Sequence, residues 1–379
     1  MIEILNHYVQ VTVLKTSFKD KEITILKSYF KDLPDFSAPN IFKEAKALLK
    51  KIPKIEKYKI IASLDSSLGT TIFSLVSLVR PNSKEIIDEA DLDNLISQAI
   101  WRFFDKQRWK VAQKMGVDDV DILLSDVRVR DIRIDGHRIV NPIGFKAKSV
   151  EIALSQTLIT REFMGVLRDL VPKENIVLLT EAGAVLSHVL SKAIGENNFY
   201  LANIFPNQTS VFSSAGARLA HHDSFEWGGD DLNHSLYRHL RVDPEIAVSL
   251  VENYGSDNAG ESFSRKFENI LVKELNTFAN GIESMVGEEK SDVYLNSFFA
   301  LPKVVYSPRF HSRFQKPIKL VPLSTELITE KLGYEVKFKS SAAIKNKLSL
   351  LAAILGVEFL PQNDVMSRLA NRRVRWLVN

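Results

Sequence analysis

The chain contains no cysteine, which excludes disulfides, thiolate metal ligands and a cysteine nucleophile in one step and fits a reducing cytoplasm. It lacks a charge excess as well. The 50 basic and 46 acidic residues leave a formal net charge of +4, too balanced to advertise nucleic acid. Long hydrophobic runs are missing: the most apolar stretch, Leu348–Leu360, is interrupted by Gly356 and Glu358 and is far shorter than the ~20 residues of a membrane span. The opening MIEILNHYVQVTVLK has no basic segment ahead of an apolar core, so no secretory signal is expected and any membrane contact should be peripheral. Neither a GxSxG elbow nor an intact Walker loop occurs, which weakens serine-hydrolase and P-loop readings. No repeat of solenoid period and no low-complexity tract is present.

What is there is a globular composition, 45% hydrophobic and 25% charged over 379 residues, too long for one ordinary core. Residues 2–14 and Glu22–Tyr29 read as paired strands. A helix on Ile41, Phe42, Ala45, Leu48, Leu49 and Ile52 follows. Strands are then expected at Tyr58–Leu64 and Ile72–Val79. Asp88 or Asp91 can cap a helix with the stripe Leu92, Leu95, Ile96, Ala99, Ile100 and Phe103, running to a stop at Gly116. Val127–Gly144 alternates as two strands around Asp135-Gly136, a favoured hairpin turn, closed by Asn141-Pro142; Val150–Leu158 adds a strand. Thr160 caps the next helix, Ile176–Thr180 is a short buried strand, and Glu181–Ile194 is helical. Later helices are expected at Asp230–Leu240, from Asp243-Pro244-Glu245 to Tyr254-Gly255, at Ser262–Met285 and at Ser341–Leu355, with strands at Asp292–Asn296 and Ile318–Val321.

The centre of the chain is Phe199–Gly229, FYLANIFPNQTSVFSSAGARLAHHDSFEWGG. Tyr200–Phe205 and Ser210–Ser213 read as strands with a Pro206-Asn207 turn between them. Such a turn can hold a polyphosphate when it offers glycine amides and an acid for magnesium. This one offers neither.

Three stretches resemble the bacterial FtsA/PilM family of actin-like proteins. They are IDGHRIVNPIGFKAKSVEIALSQTLI (Ile134–Ile159), the central hairpin running into FEWGGDDLNHSL and EIAVSLVENYG, and SDVYLNSFFALP (Ser291–Pro302); the DG and PIG stretch leans toward FtsA. The resemblance implies an α/β, actin-like (RNase H-like) two-lobed fold with an inserted small α+β subdomain of the SHS2 type. The expected parts are 1–82 and 159–196 in lobe I, 83–158 as the insertion, 197–340 as lobe II, 341–362 as a return helix and 363–379 as a basic C-terminal helix. It also implies where a nucleotide would sit: near Asn6 in the first turn, at Asn203 and Thr209 in the second, at Gly228 and Gly229, and at Ser297 beside the adenine. Glu181 resembles the family's acid near the attacking water.

The departures from the family point away from turnover. The first phosphate turn reads Leu5-Asn6-His7-Tyr8, with no aspartate and glycine. The second begins with Asn203, which carries no charge for hydrated magnesium, and Phe205 and Pro206 obstruct close backbone approach. Ser297-Phe298 stands in place of a glycine pair. The expectation is a degenerate pseudo-ATPase with no cofactor, the alternative being a diverged loop set that still binds ATP and magnesium.

Each of these residues has a plainer reading. Gly228-Gly229 suits a tight turn of positive φ, Asp230 and Asp231 suit helix N-terminal acids, and Glu181 suits a first-turn acid. His221 and His222 point to opposite faces of a strand, and with His234 and His239 they give no convincing zinc spacing, so no metal site is expected. The last segment, DVMSRLANRRVRWLVN, places Met366, Leu369 and Leu377 on one side, Trp376 at its margin, and Arg372 and Arg375 opposite. That suits an interfacial membrane anchor or, equally, a helix docked on the core.

The resemblance implies a cytoplasmic adaptor, self-associating or held at the inner membrane face. Its partner contacts are expected on the inserted subdomain at Asp135, Gly136, Pro142, Ile143 and Gly144. Partners would be a tubulin-like division filament or pilus-assembly membrane proteins.

Overall fold

Alternating β-branched residues open the chain as strands. In the computed structural model, β1 (Ile2–Leu5) and β2 (Tyr8–Ser17) pair antiparallel with Ile2 opposite Val11, and β3 (Glu22–Asp32) continues antiparallel beside β2. The structure describes all residues except 6–7, 34, 36, 196–197, 216–217, 256–260, 300, 340–342, 361–364 and 378–379, and leaves out the side chains of 173, 218, 220–222, 244, 252–255, 261–265, 303, 373 and 375–377. Helix α1 (Ala38–Leu49) buries Ile41, Ala45, Leu48 and Leu49 on one face and leads into β4 (Ile60–Leu64), a wholly buried run parallel to β1. The expected strand start at Tyr58 is too early; Tyr58 is exposed and follows a 3₁₀ turn.

A second, all-antiparallel sheet follows, built from β5 (Gly69–Val79), β6 (Ile122–Ile134), β7 (His137–Arg138) and β8 (Ser149–Thr160) in the order β5-β8-β6-β7, with helix α2 (Glu89–Met115) between β5 and β6 in the chain. The Asp88 carboxylate accepts the Asp91 amide at 2.7 Å to start α2, and Gly116 ends it at φ 66°, as capping chemistry requires. The hairpin's return strand is only two residues long, because the chain turns away at Val140, which is 91% exposed. Then come α3 (Arg161–Leu170), capped by Thr160, β9 (Ile176–Glu181) and α4 (Ala182–Ile194). The Arg128 guanidinium forks onto the Asp126 carboxylate at 2.7 Å twice and reaches the Val177 carbonyl at 2.7 Å, which ties β6 to β9.

The chain divides into two units, 1–189 with 332–379, and 190–331. The second contains β10 (Phe199–Ile204), β11 (Thr209–Ala215), β12 (Arg218–Phe225), α5 (Gly229–Leu240), α6 (Pro244–Gly255), α7 (Glu261–Met285), β13 (Ser291–Ser297), α8 (Pro308–His311), β14 (Ile318–Pro322) and α9 (Thr325–Leu332). Its sheet runs β12-β11-β10-β13-β14, with β10 antiparallel to β11 and parallel to β13. The first unit repeats this pattern as β3-β2-β1-β4-β9, and β15 (Glu335–Phe338) extends its edge parallel to β3. Each unit therefore has three antiparallel strands followed by two parallel ones, a duplication of topology with no repeat in sequence.

Helix α10 (Lys347–Phe359) begins six residues later than read from the sequence, capped by Asn346, and is buried along Leu348–Gly356. Helix α11 (Val365–Leu377) packs against β6 and α2, with Leu369, Ala370 and Val374 inside the first unit's core.

Candidate functional site

The turn between β10 and β11 is where phosphate would be expected, and its own backbone occupies the neighbouring donors. The Gly229 amide donates to the Phe205 carbonyl at 3.2 Å and the Asp230 amide to the Pro206 carbonyl at 2.8 Å. The Gly228 amide donates to the Asp231 carboxylate at 2.9 Å. Three successive amides at the start of α5, the groups a helix offers to an anion, are thus satisfied inside the protein.

This close approach explains the glycines. A Cβ on Gly228 would lie 2.2 Å from both the Phe205 and the Pro206 carbonyl oxygens, so no side chain fits. The positive φ expected here is not found: Gly228 is extended, at φ −164°, and the requirement is space, not handedness. A Cβ on Gly229 would meet the Phe299 ring at 2.6 Å. Phe205 is fully buried, and its ring stacks on Phe298 with centroids 4.7 Å apart.

The other second-turn residues are equally committed. Thr209, fully buried, donates its hydroxyl to the Trp227 carbonyl at 2.8 Å. The Asn203 side-chain oxygen accepts from the Asn296 side-chain amide, and both residues are buried. Ser297, at the end of β13, accepts the Phe299 amide at 3.3 Å. Asn203, Thr209, Gly228, Gly229 and Ser297 therefore do come together on adjacent elements, with Phe299 beside them and with Trp227 and Asn296 as partners that sequence reading did not single out. Asn6 lies outside the described residues.

Glu181 is the last residue of β9, not a first-turn helical acid. One carboxylate oxygen accepts the Thr71 amide at 3.0 Å, while the Thr71 hydroxyl accepts the Glu181 amide at 2.9 Å. Complete burial pushes its carboxyl up to about 7, against the field of Lys114 and the Thr71 hydrogen bond. Burial also pushes Glu3 on β1 up to about 8. These are carboxyls locked in the sheet, since burial disfavours the charged form.

Between β6 and β7 Asp135 and Gly136 form the expected turn, at φ 47° and 84°, and Gly144 ends the second turn at φ 90°. The Asp135 carboxylate accepts the amides of Lys148 and Ser149 at 3.0 and 2.8 Å, which holds it below the usual carboxylate range. Pro142 is buried and Ile143 half-buried, but Val140, Phe145 and Ile86 around them are exposed apolar side chains.

The anchor reading of the last helix needs correction at Leu369, which is 2% exposed and belongs to the core, with Met366 packed beside it. An apolar stripe satisfied by β6 and α2 is not free for acyl chains. Arg372 is exposed; the side chains of Arg375, Trp376 and Leu377 lie outside the described residues, as do those of His221 and His222. Among the described residues no helix is long and apolar enough to cross a membrane, and no three His, Cys, Asp or Glu side chains converge as metal ligands.

No family model and no curated protein matches the sequence. Among solved structures, the PilM-PilN type IV pilus biogenesis complex is 12% identical and is matched over 98% of this chain and 97% of that one, with a TM-score of 0.54. The ethanolamine utilization protein EutJ from Carboxydothermus hydrogenoformans is 10% identical over 95% and 88% of the two chains, with a TM-score of 0.38. A Bacteroides thetaiotaomicron protein with an actin-like ATPase fold is 8% identical over 88% and 95%, with a TM-score of 0.40. With the same five-strand order in both units and the full-length match to the PilM structure, this chain has the actin-like fold.

Proposed function

We propose that this protein is a non-catalytic actin-fold scaffold that binds protein partners and does not turn over a nucleotide. The observation that supports this reading is the pairing of the Gly229 and Asp230 amides with the Phe205 and Pro206 carbonyls. A triphosphate at this turn would have to break both bonds, and Asn203 supplies no charge for its magnesium ion. A retained fold with altered loops carries no activity by itself.

The partner class follows by analogy with PilM, whose structure is a complex with PilN in type IV pilus biogenesis. On this reading the protein is an assembly component that meets a membrane-protein partner, with the inserted subdomain near Pro142, Ile143 and Gly144 as the contact surface. An FtsA-like role beside a division filament is the second reading, favoured by the DG and PIG turns. Attachment to the inner membrane face would then come through partners, because Leu369 is committed to the core.

Calorimetric titration with magnesium and ATP tests the proposal. It predicts no saturable heat. Saturable binding in the micromolar range that is lost in Thr209→Val would overturn it.

A further inference from the structure

Strand β5 ends its sheet, with β8 on one side and no strand on the other among the described residues. Its pairing with β8 is continuous from Gly69 opposite Ile159 to Val79 opposite Ser149, without a bulge. The direction of its backbone groups can be read at both ends. The Thr71 amide points away from β8 to Glu181, whereas the Arg80 amide donates to the Lys148 carbonyl on the β8 side. Along an unbroken antiparallel strand this alternation persists, so residues 75, 77 and 79 turn their amides and carbonyls to the open edge.

The start of β5 is buried, but from Leu75 the edge opens: Leu75 is 46% and Val79 82% exposed, and Ser77 is exposed. Edge strands are normally guarded by lysine, proline or a bulge. GTTIFSLVSLV has no charged residue and no proline, and the register shows no bulge. The open segment, Leu75-Val76-Ser77-Leu78-Val79, is moreover self-complementary about Ser77.

We propose that β5 is a self-pairing edge, through which a second copy of this chain joins antiparallel about a two-fold axis at Ser77 and makes one continuous sheet of the two four-stranded β5-β8-β6-β7 sheets. In that register Ser77 faces its counterpart and Leu75 faces Val79 of the other copy. Each of these pairs brings an outward amide and carbonyl from both sides, the arrangement that exchanges two hydrogen bonds per pair. Leu75 and Val79 then form apolar cross-strand contacts on one face. A slip of one residue would set outward groups against inward ones, and of the registers that remain only this one sets both Leu75–Val79 pairs opposite each other. The contact is short and falls below the ~1,200 Å² of a standard interface, so the dimer dissociates on dilution.

The absence of native cysteine makes the test direct. In Ser77→Cys the two sulfurs sit in a hydrogen-bonded pair, whose Cα atoms are about 5.5 Å apart, inside the range a disulfide spans. Under copper-phenanthroline oxidation Ser77→Cys is expected to give a disulfide dimer several times faster than Val140→Cys, a control at another exposed site. Sedimentation of the unaltered chain should show a dimer that grows with concentration and is lost in Leu75→Lys/Val79→Lys, whose circular dichroism stays unchanged because both positions are exposed. Equal cross-linking rates for the two cysteine variants overturn the proposal. So does a chain that stays monomeric at every concentration, whatever other strand the edge captures, or a dimer that the lysines leave intact.

Discussion

The Pro206 carbonyl accepts the Asp230 amide at 2.8 Å, so the loop between β10 and β11 acts as the backbone cap of α5. An anion and this cap compete for one set of donors, and the cap holds them covalently nearby at no translational cost.

Gly228→Ala tests how tightly the cap is built. Its Cβ would stand 2.2 Å from two backbone oxygens, and no rotamer change relieves a clash with backbone. The substitution is expected to cost about 3 kcal/mol, at the top of the range for overpacking, measured by urea unfolding.

Gly229→Ala meets a ring instead, that of Phe299 at 2.6 Å. The ring is removable, so Gly229→Ala/Phe299→Ala should be more stable than the sum of the single changes predicts, by ~1 kcal/mol. Strict additivity would show that Phe299 does not set the space at Gly229.

Glu181 gives a pH dependence of definite sign. Its carboxyl is raised from 4.5 to about 7 by burial, so the folded state holds the proton more tightly than the unfolded chain. The resulting stabilisation is complete below the unfolded value and is lost as pH rises through about 7, amounting to ~3 kcal/mol. Glu181→Gln keeps an acceptor for the Thr71 amide and cannot titrate. The stability of the unaltered protein relative to Glu181→Gln should therefore fall between pH 5 and pH 8, read from denaturant midpoints.

Arg128 and Asp126 form a buried pair, with side chains 3% and 8% exposed. Asp126→Ala leaves the guanidinium without its counter-ion and is expected to cost ~3–5 kcal/mol, whereas Asp126→Leu/Arg128→Met should cost less. A double variant weaker than either single one would contradict this.

For α11, docking predicts that Leu369→Ala lowers stability by ~3 kcal/mol, as for other core leucines, and leaves liposome flotation unchanged. A loss of flotation without loss of stability would restore the anchor reading.

Much of this fold is legible where local chemistry decides it. Asp88 and Gly116 bound α2, Thr160 starts α3, and Asp135-Gly136 turns the hairpin, each through a cap or a positive φ that only certain residues supply. The site is legible in part: Asn203 marks the missing charge, but the glycine pair reads as a turn of positive φ and its real constraint, the 2.2 Å approach of two carbonyl oxygens to the Gly228 Cβ position, is tertiary. What closes the turn is two main-chain carbonyls, which no side-chain pattern encodes. Glu181 reads as a first-turn acid because its partner, Thr71, is 110 residues away. The stripe on α11 is the same whether lipid or β6 covers it, and only packing distinguishes them. The duplicated strand order is invisible in sequence because topology constrains periodicity and turns, not residue identity.

The most direct measurement is a crystal structure grown with magnesium and a non-hydrolysable ATP analogue. The account predicts that the Gly229 and Asp230 amides remain bonded to the Phe205 and Pro206 carbonyls, with Phe205 still stacked on Phe298. A phosphate group seated on those amides, with an octahedral cation beside Asn203, would contradict it.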